Sequence, residues 1–86
     1  MMFLTLLTVL RPERVGEELG VLKRISTVSP PTGIRIVGVY SLFGRYDAAL
    51  IFEAPNERMA KAFVSRLVRA GGYRAETMLA IPAEEL

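Results

Sequence analysis

The chain lacks three residue types that often carry chemistry: cysteine, histidine and tryptophan are all absent. Without cysteine there is no disulfide framework, no thiolate metal ligand and no cysteine nucleophile, and small secreted scaffolds usually depend on such cross-links. We therefore expect a cytoplasmic protein. The absence of histidine removes the commonest general base and metal ligand, so we expect no metal or other cofactor and have little reason to expect an enzyme.

The chain also has little excess of either positive or negative charge. Eleven Lys and Arg residues stand against nine Asp and Glu residues, for a net charge of +2, and the two signs are mixed along the chain instead of forming blocks. Nucleic-acid binding is therefore not indicated. The apolar run over residues 1–10 is too short to cross a bilayer, which takes about 20 residues, so we expect no membrane partner.

What the chain has in excess is apolar side chains. Hydrophobic residues make up 51% of its 86 positions, and a domain of this size buries only about 60% of the surface that its unfolded chain exposes. One small core cannot easily hide so much apolar material. An apolar patch that remains on the surface indicates self-association.

Hydrophobic periodicity and turn residues predict six regular elements. In chain order these are a strand over residues 3–10, a helix from Pro12 to about Thr27, strands over residues 34–43 and 46–54, a helix after Asn56 and a strand over residues 73–81. Breaks are expected at residues 29–33, at Gly44 and at Gly71-Gly72. The order β-α-β-β-α-β predicts one ferredoxin-like α+β domain over residues 1–86, with a four-stranded antiparallel sheet whose first and third strands are central.

Strand alternation divides this sheet into a face beneath the helices and a face without them. The set expected beneath the helices is Ile34, Ile36, Tyr40, Leu42, Ala48, Leu50, Phe52, Ala75, Leu79 and Ile81. The opposite set is Val37, Val39, Phe43, Ala49, Ile51, Met78 and Ala80, mixed with Arg35, Ser41, Asp47, Glu53, Arg74 and Glu76. Because the second face is too apolar for open water, we expect it to pair with a second copy of the chain, as a homodimer or higher oligomer. In the first helix, Gly16 and Gly20 are expected to allow close packing on the sheet.

The polar residues of that second face are candidates for a small-metabolite site. They are Ser41, Asp47, Glu53, Arg74 and Glu76, joined by Tyr46 at the turn, whose ring could stack on a ligand or hydrogen-bond to it. A structural interpretation competes with this one. Gly44 and Asp47 suit the backbone of a hairpin turn, and a tyrosine at a strand end, such as Tyr40 or Tyr46, often caps a core.

Several motifs in the C-terminal half resemble a known family. Tyr40, Gly44-x-Tyr46-Asp47, Glu53-Ala54-Pro55 and Arg74-Ala75-Glu76-Thr77-Met78-Leu79 before Pro82 are similar to the GYD domain family. The resemblance implies a dimeric α/β barrel, in which two ferredoxin-like protomers pair through their sheets, and it implies no established activity. The same hairpin, helix and strand also look like the ligand-binding half of the feast/famine (leucine-responsive) regulators.

Three functions remain open. The first is a non-catalytic module that binds a small metabolite or serves assembly. The second is a cofactor-independent enzyme of the dimeric α/β-barrel type, similar to a monooxygenase or an isomerase, in which Asp47 or Glu53 would abstract a proton. Such enzymes usually use histidine, asparagine or tryptophan, and the only asparagine here, Asn56, suits a helix cap. The third is a regulatory partner that docks on a separate DNA-binding chain.

Overall fold

The computed structural model describes residues 1–27, 30–70 and 72–86, and of residues 25–27 and 70 it describes only the backbone. The elements are β1 (Met2–Val9), a 3-10 turn (Pro12–Arg14), α1 (Val15–Thr27), β2 (Arg35–Ser41), β3 (Ala48–Glu53), α2 (Glu57–Ala70), β4 (Tyr73–Ala80) and a second 3-10 turn (Ala83–Glu85). All six predicted elements are present in the predicted order. Of the expected breaks, Ser29 and Gly71 lie outside the described residues, while residues 30–33 and Gly72 lie outside any helix or strand, as predicted.

The four strands form one antiparallel sheet in the order β2-β3-β1-β4. The central positions of β1 and β3 and the ferredoxin-like α+β fold are therefore confirmed. β1 can occupy the centre because it is apolar or threonine at every position, so neither of its faces needs water.

The core lies between the sheet and the two helices, in two neighbouring clusters. Around Phe52, the ring of Phe3 stacks at 5.5 Å between centroids and the ring of Phe63 on α2 meets it edge-on at 5.0 Å. The second cluster joins Leu7 of β1 to Leu22 of α1, among others. Both helices therefore cover the same face of the sheet.

The register of β2 contains an irregularity. Ile36 pairs with Phe52, but the next paired residue is Gly38, opposite Ile51, so Val37 is inserted as a β-bulge. A single inserted residue reverses the alternation of every side chain that follows it. The bulge also breaks the regularity of an edge strand, which hinders unwanted pairing with other chains.

The bulge makes part of the predicted assignment of faces wrong. Val39 packs against the core instead of lying on the open side. Tyr40 was expected beneath the helices, but it lies on the open side and is 54% exposed. Ser41 was expected on the open side, but it pairs with the buried Ala48 and lies on the helix side.

Three further expectations need correction. Gly16 and Gly20 do not make close contact with the sheet, since a Cβ atom built on either would have no atom of the described structure within 4 Å outside its own helix turn. Phe43 lies fully exposed in the turn after β2 and is not part of a strand face. Ile81 lies beyond the end of β4 and is exposed, because the strand ends one residue earlier than predicted.

A buried carboxylate joins α1 to the beginning of β4. Glu18 accepts a hydrogen bond at 2.9 Å from the backbone N–H of Gly72, and its other oxygen lies 3.9 Å from the guanidinium of Arg14. The Tyr73 hydroxyl donates to the backbone carbonyl of Glu18. The Glu18 side chain is only 8% exposed, so its hydrogen bond to Gly72 is partly shielded from water and helps to fix the helix against the strand.

Replacing Glu18 with alanine should destabilise the protein. The N–H of Gly72 would lose its acceptor in a partly buried position, which we expect to lower the free energy of unfolding by about 2 kcal/mol. Glu17→Ala is the matched control, since Glu17 is 71% exposed and pairs with Arg14 at the surface, where ion pairs contribute little. Urea denaturation of both variants provides the measurement, and equal effects would contradict the structural role of Glu18.

The stability of the protein should fall at alkaline pH because of Tyr73. Burial, followed by the charge of Glu18 and the hydrogen bond to that residue, raises the pKa of Tyr73 from 10.0 to about 12. A raised folded-state pKa stabilises the protein fully below pH 10, and this contribution is lost as the pH rises towards 12. Near-ultraviolet titration should resolve a late tyrosine ionisation that disappears in Tyr73→Phe and persists in the exposed control Tyr40→Phe. Early ionisation of all three tyrosines would contradict the assignment.

Candidate functional site

The face of the sheet opposite the helices is called the open face here. The registers place its side chains in three rows across the strands, read from β2 through β3 and β1 to β4. The rows are Arg35–Glu53–Met2–Ala80, then Gly38–Ile51–Leu4–Met78, then Tyr40–Ala49–Leu6–Glu76. No helix of the described structure covers this face.

The centre of the open face is apolar. Leu4 and Leu6 lie in the central strand and Ile51 in its neighbour, and none of the three is fully buried. Met78 on β4 is 43% exposed. The ring of Tyr40 lies so close above Gly38 that a Cβ atom there would stand 2.8 Å from the ring. Glycine at this position therefore lets the tyrosine lie flat on the sheet.

One corner of the open face carries an ion pair. Arg35 donates two hydrogen bonds to the carboxylate of Glu53, at 2.6 and 3.2 Å, across the β2–β3 pair. The hydrogen bond with Arg35 lowers the pKa of Glu53 below its ordinary value. A carboxylate with a lowered pKa is a weak base, so this site gives no support to Glu53 as a proton acceptor.

The opposite corner carries a second polar group. The Tyr46 hydroxyl donates to the Glu76 carboxylate at 2.9 Å, and the Arg45 guanidinium lies 5.5 Å from the centre of the Tyr46 ring. Arg74 lies two residues from Glu76 on the same face of β4. These four residues, Arg45, Tyr46, Arg74 and Glu76, are called the Tyr46 group.

Asp47 is hydrogen-bonded to the backbone at the end of β1. Its carboxylate accepts a hydrogen bond at 2.7 Å from the backbone N–H of Val9, and its own N–H donates to the carbonyl of Leu7. Its backbone carbonyl also accepts from the N–H of Leu42. Asp47 thus ties the end of β1 to the turn, while Gly44 has a φ of 139°, which side chains rarely allow. These contacts and this backbone conformation support the structural interpretation of both residues.

The six candidate ligand residues therefore do not form one site. Tyr46, Arg74 and Glu76 lie together, whereas Glu53 lies at the opposite corner, roughly 16 Å away by the strand and sheet spacings. Ser41 lies on the other side of the sheet and Asp47 is held by β1.

The sequence analysis did not predict two of the side-chain contacts, those of Glu18 and Arg45. Glu18 follows Glu17 in a helix, so its burial against Gly72 has no local signal. Arg45 stands beside Tyr46 in the turn, and an adjacent cation and aromatic ring could have suggested their contact.

The described residues hold no group of three or more carboxylates that could ligate a metal ion. Nor does the described chain contain a helix with the length and apolar character needed to cross a membrane.

The fold and the open face define the chain as a ferredoxin-like α+β protein with one uncovered, largely apolar sheet face. A comparison with protein families matches residues 23–86 to the GYD domain. The match covers well over half of the chain, which therefore belongs to the GYD domain family. A comparison with curated proteins finds no match.

Substitution of Asp47 should affect stability more than any binding function. Asp47→Ala removes the acceptor of the Val9 N–H, so we expect the free energy of unfolding to fall by about 1 to 2 kcal/mol. Asp47→Asn keeps an oxygen acceptor and should lose less. Thermal and urea denaturation measure both variants, and unchanged stability in Asp47→Ala would contradict this role.

Proposed function

We propose that this chain is a non-catalytic assembly module whose open face pairs with the open face of a second copy. The observation that carries the proposal is the row of Gly38, Ile51, Leu4 and Met78 across the middle of the sheet, uncovered by either helix. Apolar rows of this kind are seldom left in water.

The placement of charge supports a protein interface. The charged residues of the open face lie at two opposite corners, and the apolar residues lie between them. Protein interfaces have the same arrangement, with an apolar centre and a polar rim. Each corner also holds both signs of charge, so a second copy can approach without bringing a large charge of one sign against its like.

A two-fold pair is the simplest assembly. Residues such as Leu4, Ile51 and Met78 would each lose exposed apolar area, at about 25 cal/mol per Å², although buried area does not convert directly into affinity. Most small oligomers are two-fold symmetric and use the same surface on both copies. Two ferredoxin-like sheets packed in this way form the dimeric α/β barrel expected from the resemblance.

A small metabolite is a second candidate ligand of the open face, and it would bind at the Tyr46 group. Arg74 offers donors to an anion, and Glu76 accepts the Tyr46 hydroxyl beside it. In a paired assembly this corner lies at the rim, where a small molecule with an anionic group could reach it.

The enzyme hypothesis has less support. Glu53 is engaged by Arg35 and Asp47 by the N–H of Val9, so neither of the proposed bases is free of a partner. The hypothesis of a regulatory partner for a DNA-binding chain rests on the distant resemblance alone.

Neighbouring residues of β4 provide a matched test of the assembly. Met78 and Leu79 are 43% and 45% exposed, but Met78 lies on the open face and Leu79 on the helix side. We expect Met78→Arg to convert the dimer into a monomer, because it places a charge in the apolar middle row of the open face. Leu79→Arg should leave the dimer intact.

Analytical ultracentrifugation at micromolar concentrations reads out this test, with circular dichroism as the check on folding. A wild-type protein that sediments as a monomer would refute the assembly. So would a dimer that dissociates with Leu79→Arg and not with Met78→Arg.

A further inference from the structure

A groove with a volume of about 870 Å³ lies between α2 and β4, on the helix side of the sheet. Its walls and floor include Phe3, Val64, Val68, Ala75, Thr77 and Leu79. A volume of this size is typical of small-molecule sites. The groove lies on the side of β4 away from the open face, so it is independent of the proposed dimer.

The interior of the groove is apolar. Val68 and Leu79 are 36% and 45% exposed, and they stand on opposite walls. The one hydroxyl group on the strand wall, that of Thr77, is already hydrogen-bonded to the hydroxyl of Thr5 at 2.9 Å. A ligand in the groove would therefore meet mainly hydrocarbon.

Small side chains explain why the groove stays open. Ala60 on α2 and Ala75 on β4 line it from both sides, and a larger residue at either position would occupy the space. Edge strand β4 has no further strand beyond it in the described sheet, so nothing closes the groove laterally.

The rim along α2 is mainly cationic. Lys61, Ser65 and Arg69 recur every four residues, so they lie in one row above the groove. The Nε of Arg69 donates to the backbone carbonyl of Ser65 at 3.4 Å, which directs the guanidinium along the helix. Glu57, the acidic residue of the rim, lies three turns away at the other end.

The groove has a polarity along its length. Both β3 and β4 run antiparallel to β1, so α2 must run back along β4, with Arg69 near Ala75 and Glu57 near Leu79. The distance from Ala75 to Leu79 is about 14 Å along the strand. One end of the groove therefore carries Arg69 and the other end carries Glu57, and most of the side chains between them are apolar.

We propose that this groove binds a free amphipathic monocarboxylate, with its carboxylate at Ser65 and Arg69 and its aliphatic chain along β4 towards Leu79. A guanidinium can hold a carboxylate through two parallel hydrogen bonds. The aliphatic chain would cover the side chains of Val68 and Leu79, which are 36% and 45% exposed.

Decanoate, used below its micelle concentration, is the probe for this site. Isothermal titration should give saturable binding of one decanoate per chain, and decanol should bind about tenfold more weakly because it has no charge. Arg69→Gln should weaken decanoate binding by a similar factor. Arg66→Gln is the matched control, since Arg66 lies on the same helix but lines a different surface, and it should leave the affinity unchanged.

A second pair of variants tests the position of the aliphatic chain. Ala75→Phe should fill the groove and abolish binding, whereas Ala62→Phe, at an exposed position of α2 outside the groove, should not. Met78→Arg should bind decanoate normally even as a monomer. This variant separates failure of the groove proposal from failure of the assembly proposal.

Several results would overturn the groove proposal. These are an absence of saturable binding, equal affinities in Arg69→Gln and Arg66→Gln, and loss of binding in Met78→Arg with retention in Ala75→Phe, which would place the ligand on the open face. Binding to phosphatidylglycerol vesicles without binding to free decanoate would point to a membrane surface instead.

Discussion

The structure depends on one constraint: β1, one of the two central strands, is apolar on both faces, and the two α-helices of the described residues lie on the same face of the sheet. The side chains of Phe3 and Leu7 are buried in the core beneath the helices. Leu4 and Leu6 alternate with them and face the other way, where the described chain supplies no cover. The uncovered face is thus a direct consequence of the strand order, and not of a local irregularity.

The sequence was sufficient for the fold because the decisive patterns are local and repeated. The continuous apolar character of β1 predicted a central strand, and Asn56 was confirmed as the cap of α2, where it accepts the N–H of Met59. The inserted Val37 could not be predicted in this way. A bulge adds one residue to an otherwise regular strand and leaves its composition unchanged, so Tyr40 and Ser41 were assigned to the wrong faces.

The candidate site was predicted less well because its contacts are distant along the chain. Asp47 meets Val9 across 38 positions, Tyr46 meets Glu76 across 30, and Glu18 meets Gly72 across 54. Periodicity reports which way a side chain points, but it does not report which element stands opposite. Grouping polar residues by face therefore placed Glu53 and Glu76 together, although they lie at opposite corners of the same sheet.

The partners of the carboxylates indicate which chemistry the surface can perform. Glu53 is held by Arg35, Asp47 by a backbone N–H, Glu76 by a tyrosine hydroxyl and Glu18 by Gly72. Each of these carboxylates therefore already accepts a hydrogen bond within the described structure. Lys61 and Arg74 make no ion pair within the described part of the chain. Apolar surface and cations are then what the described residues offer to a partner, which supports the proposed pairing with a second copy and the proposed anionic ligand.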